Sequence, residues 1–97
     1  MEGVHRLWSQ PYLCHGFTIN YGEWQSWLNS GNWTDEGIGW YDYPYQASGT
    51  LPVYRFWSPV YTSHHYTIDE TEKNFIISTW PQYWTYEGVA FYAYPSP

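Results

Sequence analysis

Arg6, His15 and Glu36 recur as Arg55, His64 and Glu87, one set in each half of the chain. A guanidinium presents a rigid fork of donors, an imidazole can donate or accept, and a carboxylate only accepts. Together these groups can grip vicinal hydroxyls. They can equally serve architecture, since an Arg–Glu pair with a hydrogen-bonded His ties a hairpin to a later strand. Both readings stay open at the level of sequence. Flat rings accompany the polar set as the pairs Trp8/Trp57, Trp33/Trp84 and Tyr41/Tyr92. Such rings either pack a core or stack on the C–H face of a sugar, giving the apolar lining with a few placed polar groups that small-ligand sites use. Trp33 sits close to Asp35 and Glu36, and Trp84 close to Tyr86 and Glu87, so acid and ring are neighbours there. The candidate ligand-binding residues are therefore Arg6, His15, Trp33, Asp35, Glu36, Tyr41, Arg55, His64, Trp84, Tyr86, Glu87 and Tyr92.

Other chemistries fare worse. Glu36 and Glu87 are one position of a duplicated unit, whereas a glycosidase pair needs two carboxyl groups in different environments. The sequence has no Gly-rich phosphate loop, no nucleophile elbow and no H-E-x-x-H. No enzymatic activity is expected. His64 and His65 would point to opposite faces of a strand, and the first copy has Gly16 where the second has His65. Neither a zinc site nor any other cofactor is expected, and the lone Cys14 allows no internal disulfide. The net charge is −6 and the basic residues are Arg6, Arg55 and Lys73 alone. Without a basic stripe, nucleic acid and anionic membrane surfaces are poor partners. No apolar run approaches a membrane span. The first residues carry no leader pattern, which places the chain in the cytosol or on a non-classical export route, or outside the cell if a leader has been removed. A neutral partner is the economical expectation.

The elements that must position these groups follow from a repeat. Val4 to Gly31 laid over Val53 to Trp80 matches Arg6/Arg55, Trp8/Trp57, Ser9/Ser58, Tyr12/Tyr61, His15/His64, Thr18/Thr67 and Glu23/Glu72. Beyond extra residues near Pro81-Gln82, Trp33/Trp84, Glu36/Glu87, Gly37/Gly88, Tyr41/Tyr92 and Tyr43/Tyr94 match as well. Self-similarity of this kind means one supersecondary unit used twice. We read a single domain with repeat 1 over residues 4–45, a linker over 46–52 and repeat 2 over 53–95.

Each copy reads β-β-α-β. Short strands span Val4 to Trp8 and His15 to Ile19, with their counterparts Val53 to Trp57 and His64 to Ile68. Asn20 and Asp69 then cap helices, with Glu23 and Glu72 at capping-box spacing, where each Glu would reach back to its own cap. Trp24, Trp27 and Leu28 share one helical face, with Lys73, Ile76 and Ile77 as counterparts. Gly31 and Trp80-Pro81 end the helices. Glu-Gly turns lead into last strands at Ile38 to Tyr43 and Val89 to Tyr94. The expected fold is α+β: two tandem β-β-α-β repeats with pseudo-twofold symmetry, short helices packed on small antiparallel or mixed sheets.

The strings Val53-Tyr-Arg-Phe-Trp-Ser-Pro, His64-His-Tyr-Thr, Glu70-Thr-Glu-Lys and Tyr86-Glu-Gly-Val-Ala-Phe-Tyr resemble a tandem accessory repeat of roughly fifty residues. That module is appended to secreted bacterial hydrolases and also occurs in fungal proteins. The first copy departs from it at His5 and Gly16. In size and style the chain is similar to the small galactose-binding mushroom lectins such as that of Lyophyllum. The resemblance implies carbohydrate or cell-surface binding rather than catalysis. We expect a lectin for neutral glycans, galactosides first, working without metal and compatible with a homodimer. The alternative is a cell-wall or protein-interaction module without sugar specificity.

Overall fold

A computed structural model describes residues 1–95. Repeat 1 runs β1 (Glu2–Ser9), β2 (Cys14–Thr18), α1 (Tyr21–Asn29) and β3 (Thr34–Asp42). Repeat 2 runs β4 (Leu51–Ser58), β5 (Ser63–Thr67), α2 (Glu70–Thr79) and β6 (Thr85–Ala93). Each repeat makes its own antiparallel sheet with its first strand in the middle, in the orders β2-β1-β3 and β5-β4-β6. The fold is α+β, two β-β-α-β units. The segment expected as a linker gives up its last residues, because Leu51 and Pro52 already belong to β4.

The hairpins close the same way in both copies. Ser9 Oγ accepts from the Tyr12 amide at 3.2 Å, and Ser58 Oγ accepts from the Tyr61 amide at 2.9 Å. Both serines are fully buried, which explains why a small hydroxyl recurs there. Leu13 and Thr62, at equivalent turn positions, adopt left-handed backbone with φ of 55° and 50°. Neither is a glycine, so the turn stores strain of about 1 kcal/mol in each half.

The caps form, but the capping boxes do not close. Asn20 Oδ1 accepts from the Glu23 amide at 2.8 Å, and Asp69 Oδ1 accepts from Thr71 and Glu72 at 2.8 and 3.2 Å. The expected return contact from each Glu is absent. Thr18 Oγ1 and Thr67 Oγ1 instead accept from the cap residues' own amides, each at 3.1 Å. With that donor met by a threonine, the Glu23 and Glu72 carboxylates are free for other work.

The Glu-Gly pairs are also corrected. They lie inside the last strands, not in turns ahead of them, because β3 and β6 start at Thr34 and Thr85. Gly37 and Gly88 have φ of 91° and 104°. The register against β4 passes from Arg55↔Gly88 to Phe56↔Tyr86, which leaves Glu87 as the extra residue of a β-bulge. A bulge re-aims one side chain without ending the strand. Here that side chain is the acid.

Alternation decides the faces. Val4, Arg6 and Trp8 share one face of the first sheet with their cross-strand partners Phe17 and His15, and Val53, Arg55 and Trp57 do so in the second with Tyr66 and His64. The core is built between these faces. It takes equivalent positions from both units: Val4 with Val53, Ile19 with Ile68, Phe17 with Tyr66, as a pseudo-twofold relation requires. Backbone bonds between Tyr43 and Tyr92, at 3.2 and 2.8 Å, add a second tie. On the opposite face of repeat 2, Ile76 of α2 is buried with Tyr54 and Phe56; Ile77, expected on the same face, is exposed.

Candidate functional site

The polar contacts across the junction do not share the symmetry of the core. Arg55 on β4 gives its Nε to Glu87 Oε1 at 2.8 Å and its two terminal nitrogens to Glu23 Oε1 and Oε2, also at 2.8 Å. Glu23 belongs to α1 of the other repeat, so this fork joins the two halves. The same guanidinium lies 5.4 Å from the Trp27 ring. His64 Nε2 approaches Glu87 Oε1 at 3.5 Å. Its ring packs among Trp57 at 4.8 Å, Trp27 at 5.5 Å and Trp33 at 5.8 Å. The Arg55 and His64 side chains are only 11% and 5% exposed.

Burial and pairing compete over each charge. For Glu23 and Glu87 burial alone would raise the carboxyl pKa. At Glu23 the hydrogen bonds from Arg55, then Thr18, and the charge of Arg55 outweigh it; at Glu87 the hydrogen bond from His64 leads, followed by the charge of Arg55, and both carboxyl groups are held below the usual carboxylate range. Burial would likewise favour a neutral Arg55, but its bonds to Glu23 prevail and the cation is held more firmly than usual. Nearby, Tyr66 Oη accepts from the Phe17 amide and donates to the Phe17 carbonyl, both at 2.8 Å. Burial pushes its phenol up to about 12. It is therefore a neutral strut between the sheets.

Two openings meet at Glu87. The smaller, about 190 Å³, is lined by Tyr12, Trp27, Trp33, Trp57, His64 and Glu87. The larger, about 590 Å³, runs between the repeats past Glu2, Asn20, Glu23, Arg55 and Glu87. Glu87 Oε1 takes the contacts from Arg55 and His64; Oε2 has no partner among the described residues. Trp27 and Trp33 stack at 5.0 Å and 20°. They can do so because position 16 is glycine: a Cβ there would lie 2.9 Å from Trp27 Cζ3 and 3.1 Å from Trp33 Cζ3. Chemically, the smaller opening offers ring faces beside a carboxylate with acceptor capacity to spare.

The other expected residues fall elsewhere. Arg6 and His15 both meet Glu36 Oε1, at 3.1 and 3.0 Å, but they are 49% and 45% exposed. Trp8 packs on His15 at 4.8 Å and donates to Gln10. Asp35 accepts from Trp24 Nε1 and the Gly37 amide, a local role. Tyr41 is exposed on β3, away from the openings described. Trp84 packs with Tyr61 and His65, and Tyr86 with Tyr54 and Phe56. Tyr92 serves the bridge to Tyr43. Thus Trp33, Arg55, His64 and Glu87 come together; the remaining eight do not join them.

Glu23, Trp27, Tyr12 and Trp57 are further residues of the site; by sequence Glu23 marks a helix cap, Trp27 a helix face, and Tyr12 and Trp57 are residues repeated between the copies. A usable signal was present, since Gly16/His65 and Trp27/Ile76 are positions where the copies part. Cys14 is a buried free thiol whose pKa burial raises. Among the described residues no three His, Cys, Asp or Glu side chains converge as a metal-binding group, and no helix is long and apolar enough to cross a membrane. No curated protein and no solved structure matches the chain. A family's sequence model does match, over residues 1–94, and the chain belongs to that family, described as a domain of unknown function, DUF5648.

Proposed function

We propose that the chain is a carbohydrate-binding protein of the lectin type, taking a neutral, galactose-type glycan at the opening between the repeats. The observation that carries this reading is the convergence of Tyr12, Trp27, Trp33, Trp57, His64 and Glu87, drawn from both halves, around one recess. The rings supply a surface for the apolar face of a pyranose, and Glu87 accepts from hydroxyls while His64 and Arg55 hold it in place. The likeness to the tandem accessory repeat points the same way. The wider groove past Glu23 and Arg55 leaves room for a further sugar unit.

Binding without turnover is the consistent chemistry. A glycosidase needs one carboxylic acid whose pKa is raised. Glu23 and Glu87 share one guanidinium and both are pulled down. That pull disfavours either as the proton donor of a glycosidase. A homodimer would raise its valence.

Calorimetry with galactose, lactose and mannose tests the reading. Galactosides should bind at millimolar levels or better, and Trp33→Ala or Glu87→Gln should weaken them by at least about tenfold. Absence of heat with every sugar, together with retention on cell-wall polymer that sugars do not displace, would favour the anchoring alternative.

A further inference from the structure

In repeat 2 a recess of about 370 Å³ opens beside α2, away from Arg55, His64 and Glu87. Phe75, Ile76, Trp80 and Trp84 make its walls, and its polar groups are His65 and Glu72. His65 Nε2 and Glu72 Oε1 are 2.6 Å apart, and both side chains are nearly half exposed. Glu72 Oε2 has no partner among the described residues.

Repeat 1 shows what the aligned positions hold when they are filled. There Glu23 grips a guanidinium with both oxygens. That cation lies over the Trp27 ring, and Trp27 lies on Trp33. Acid, cation, ring and tryptophan floor form one stack. In repeat 2 the acid persists as Glu72 and the floor as Trp84, but the middle ring has become Ile76. His65, replacing Gly16, fills part of the space that an indole would need, and the rest is open. The cation has no successor. Arg6, the counterpart of Arg55, is engaged with Glu36. Lys73 lies instead over Tyr54 at 4.6 Å and Tyr86 at 5.9 Å. Arg55 is held by Glu23 and Glu87. Every Lys and Arg of the chain is thus committed elsewhere, and Glu72 faces an apolar recess with only an imidazole beside it.

We propose that this recess binds a small aromatic cation, a flat ring joined by a short linker to an ammonium or guanidinium group. The ring takes the place of the missing indole against Trp84 and the Phe75–Trp80 wall. The charge reaches Glu72, as Arg55 reaches Glu23. Stacking and cation–π attraction supply the ring's preference for these walls. Charge sets the rest of the selectivity, because a carboxylate at an apolar rim, on a chain of net charge −6, favours a cation and repels an anion.

The test is a pair of probes with the same ring and opposite charge, phenethylamine and 3-phenylpropionate, titrated into the whole chain and followed by amide NMR. Phenethylamine should shift amides between His65 and Trp84, with 3-phenylpropionate weaker by about tenfold or more. Glu72→Gln should erase the preference while the ring still binds. The double substitution His65→Gly with Ile76→Trp rebuilds the stack of repeat 1 and should abolish binding. Equal shifts from both probes, or none from phenethylamine at about 20 mM, would overturn the proposal in the unmodified chain, whatever the variants do. Galactose reports on separate amides near Trp33 and Glu87, so either site can fail without the other.

Discussion

The same Arg–His–Glu set occurs twice in this molecule and lives in two different worlds. In repeat 1, Arg6, His15 and Glu36 form an open surface cluster. In repeat 2, Arg55, His64 and Glu87 are roofed by α1 and by the Trp27–Trp33 stack of the other repeat. Identical side chains on equivalent strands thus give a solvated ion pair in one place and a largely desolvated clamp in the other. The difference lies in the covering residues. Glu23 and Trp27 complete the second set; their counterparts Glu72 and Ile76 are turned to a separate recess. The lesson is that a duplicated motif does not duplicate an environment.

The largest effect expected from this contrast concerns the two arginines. Arg55→Ala leaves Glu23 and Glu87 without their shared cation in a partly buried setting, and should cost about 3 kcal/mol. Arg6→Ala removes a surface pair and should cost under about 1 kcal/mol. Urea unfolding of both variants measures the gap, and similar losses would show that the roof over Arg55 contributes little.

A smaller effect should follow from exchanging the residues that set the two environments. Gly16→His puts a side chain where Trp27 and Trp33 already sit, and should cost about 2 kcal/mol by overpacking. The near-UV circular dichroism from the stacked indoles should fall with it. The reverse change, His65→Gly, loses an exposed contact to Glu72 and some strand stiffness, for about 1 kcal/mol. If Gly16→His kept both stability and the indole signal, the glycine would not be what permits the stack.

The smallest effect is on acid stability. Glu23 and Glu87 have folded pKa values below the ordinary range. Their contribution is therefore complete above the unfolded carboxylate value of about 4.3 and is lost as the pH falls through the lower folded values. Glu23→Gln should flatten the fall in stability on that acid side. Melting temperatures between pH 6 and 3 would decide it.

Much of the fold was legible because the signals are local. The N-caps at Asn20 and Asp69, the stop at Gly31 and the alternation along β1 and β4 depend on neighbours a few residues away. Strand edges drifted. The second strands begin at Cys14 and Ser63, a residue earlier than expected, and β3 and β6 start ahead of their Glu-Gly pairs. The bulges look like turns in sequence because a glycine with positive φ serves either purpose, and only pairing with β1 or β4 distinguishes them. The capping boxes failed for a related reason. The spacing was right, but Thr18 and Thr67 met the cap amides first, and that competition is invisible to a spacing rule.

Duplication, two hairpin–helix–strand units and the identity of the repeated polar set were written in the order of residues, since each rests on alternation, capping or simple recurrence. Which set is enclosed, and by whom, was a matter of packing. Glu23 reaches Arg55 across the junction of the halves, and Trp27 lies flat only because Gly16 is bare. Contacts between residues far apart along the chain are fixed by how sheets and helices stack in space, and no local pattern encodes that choice.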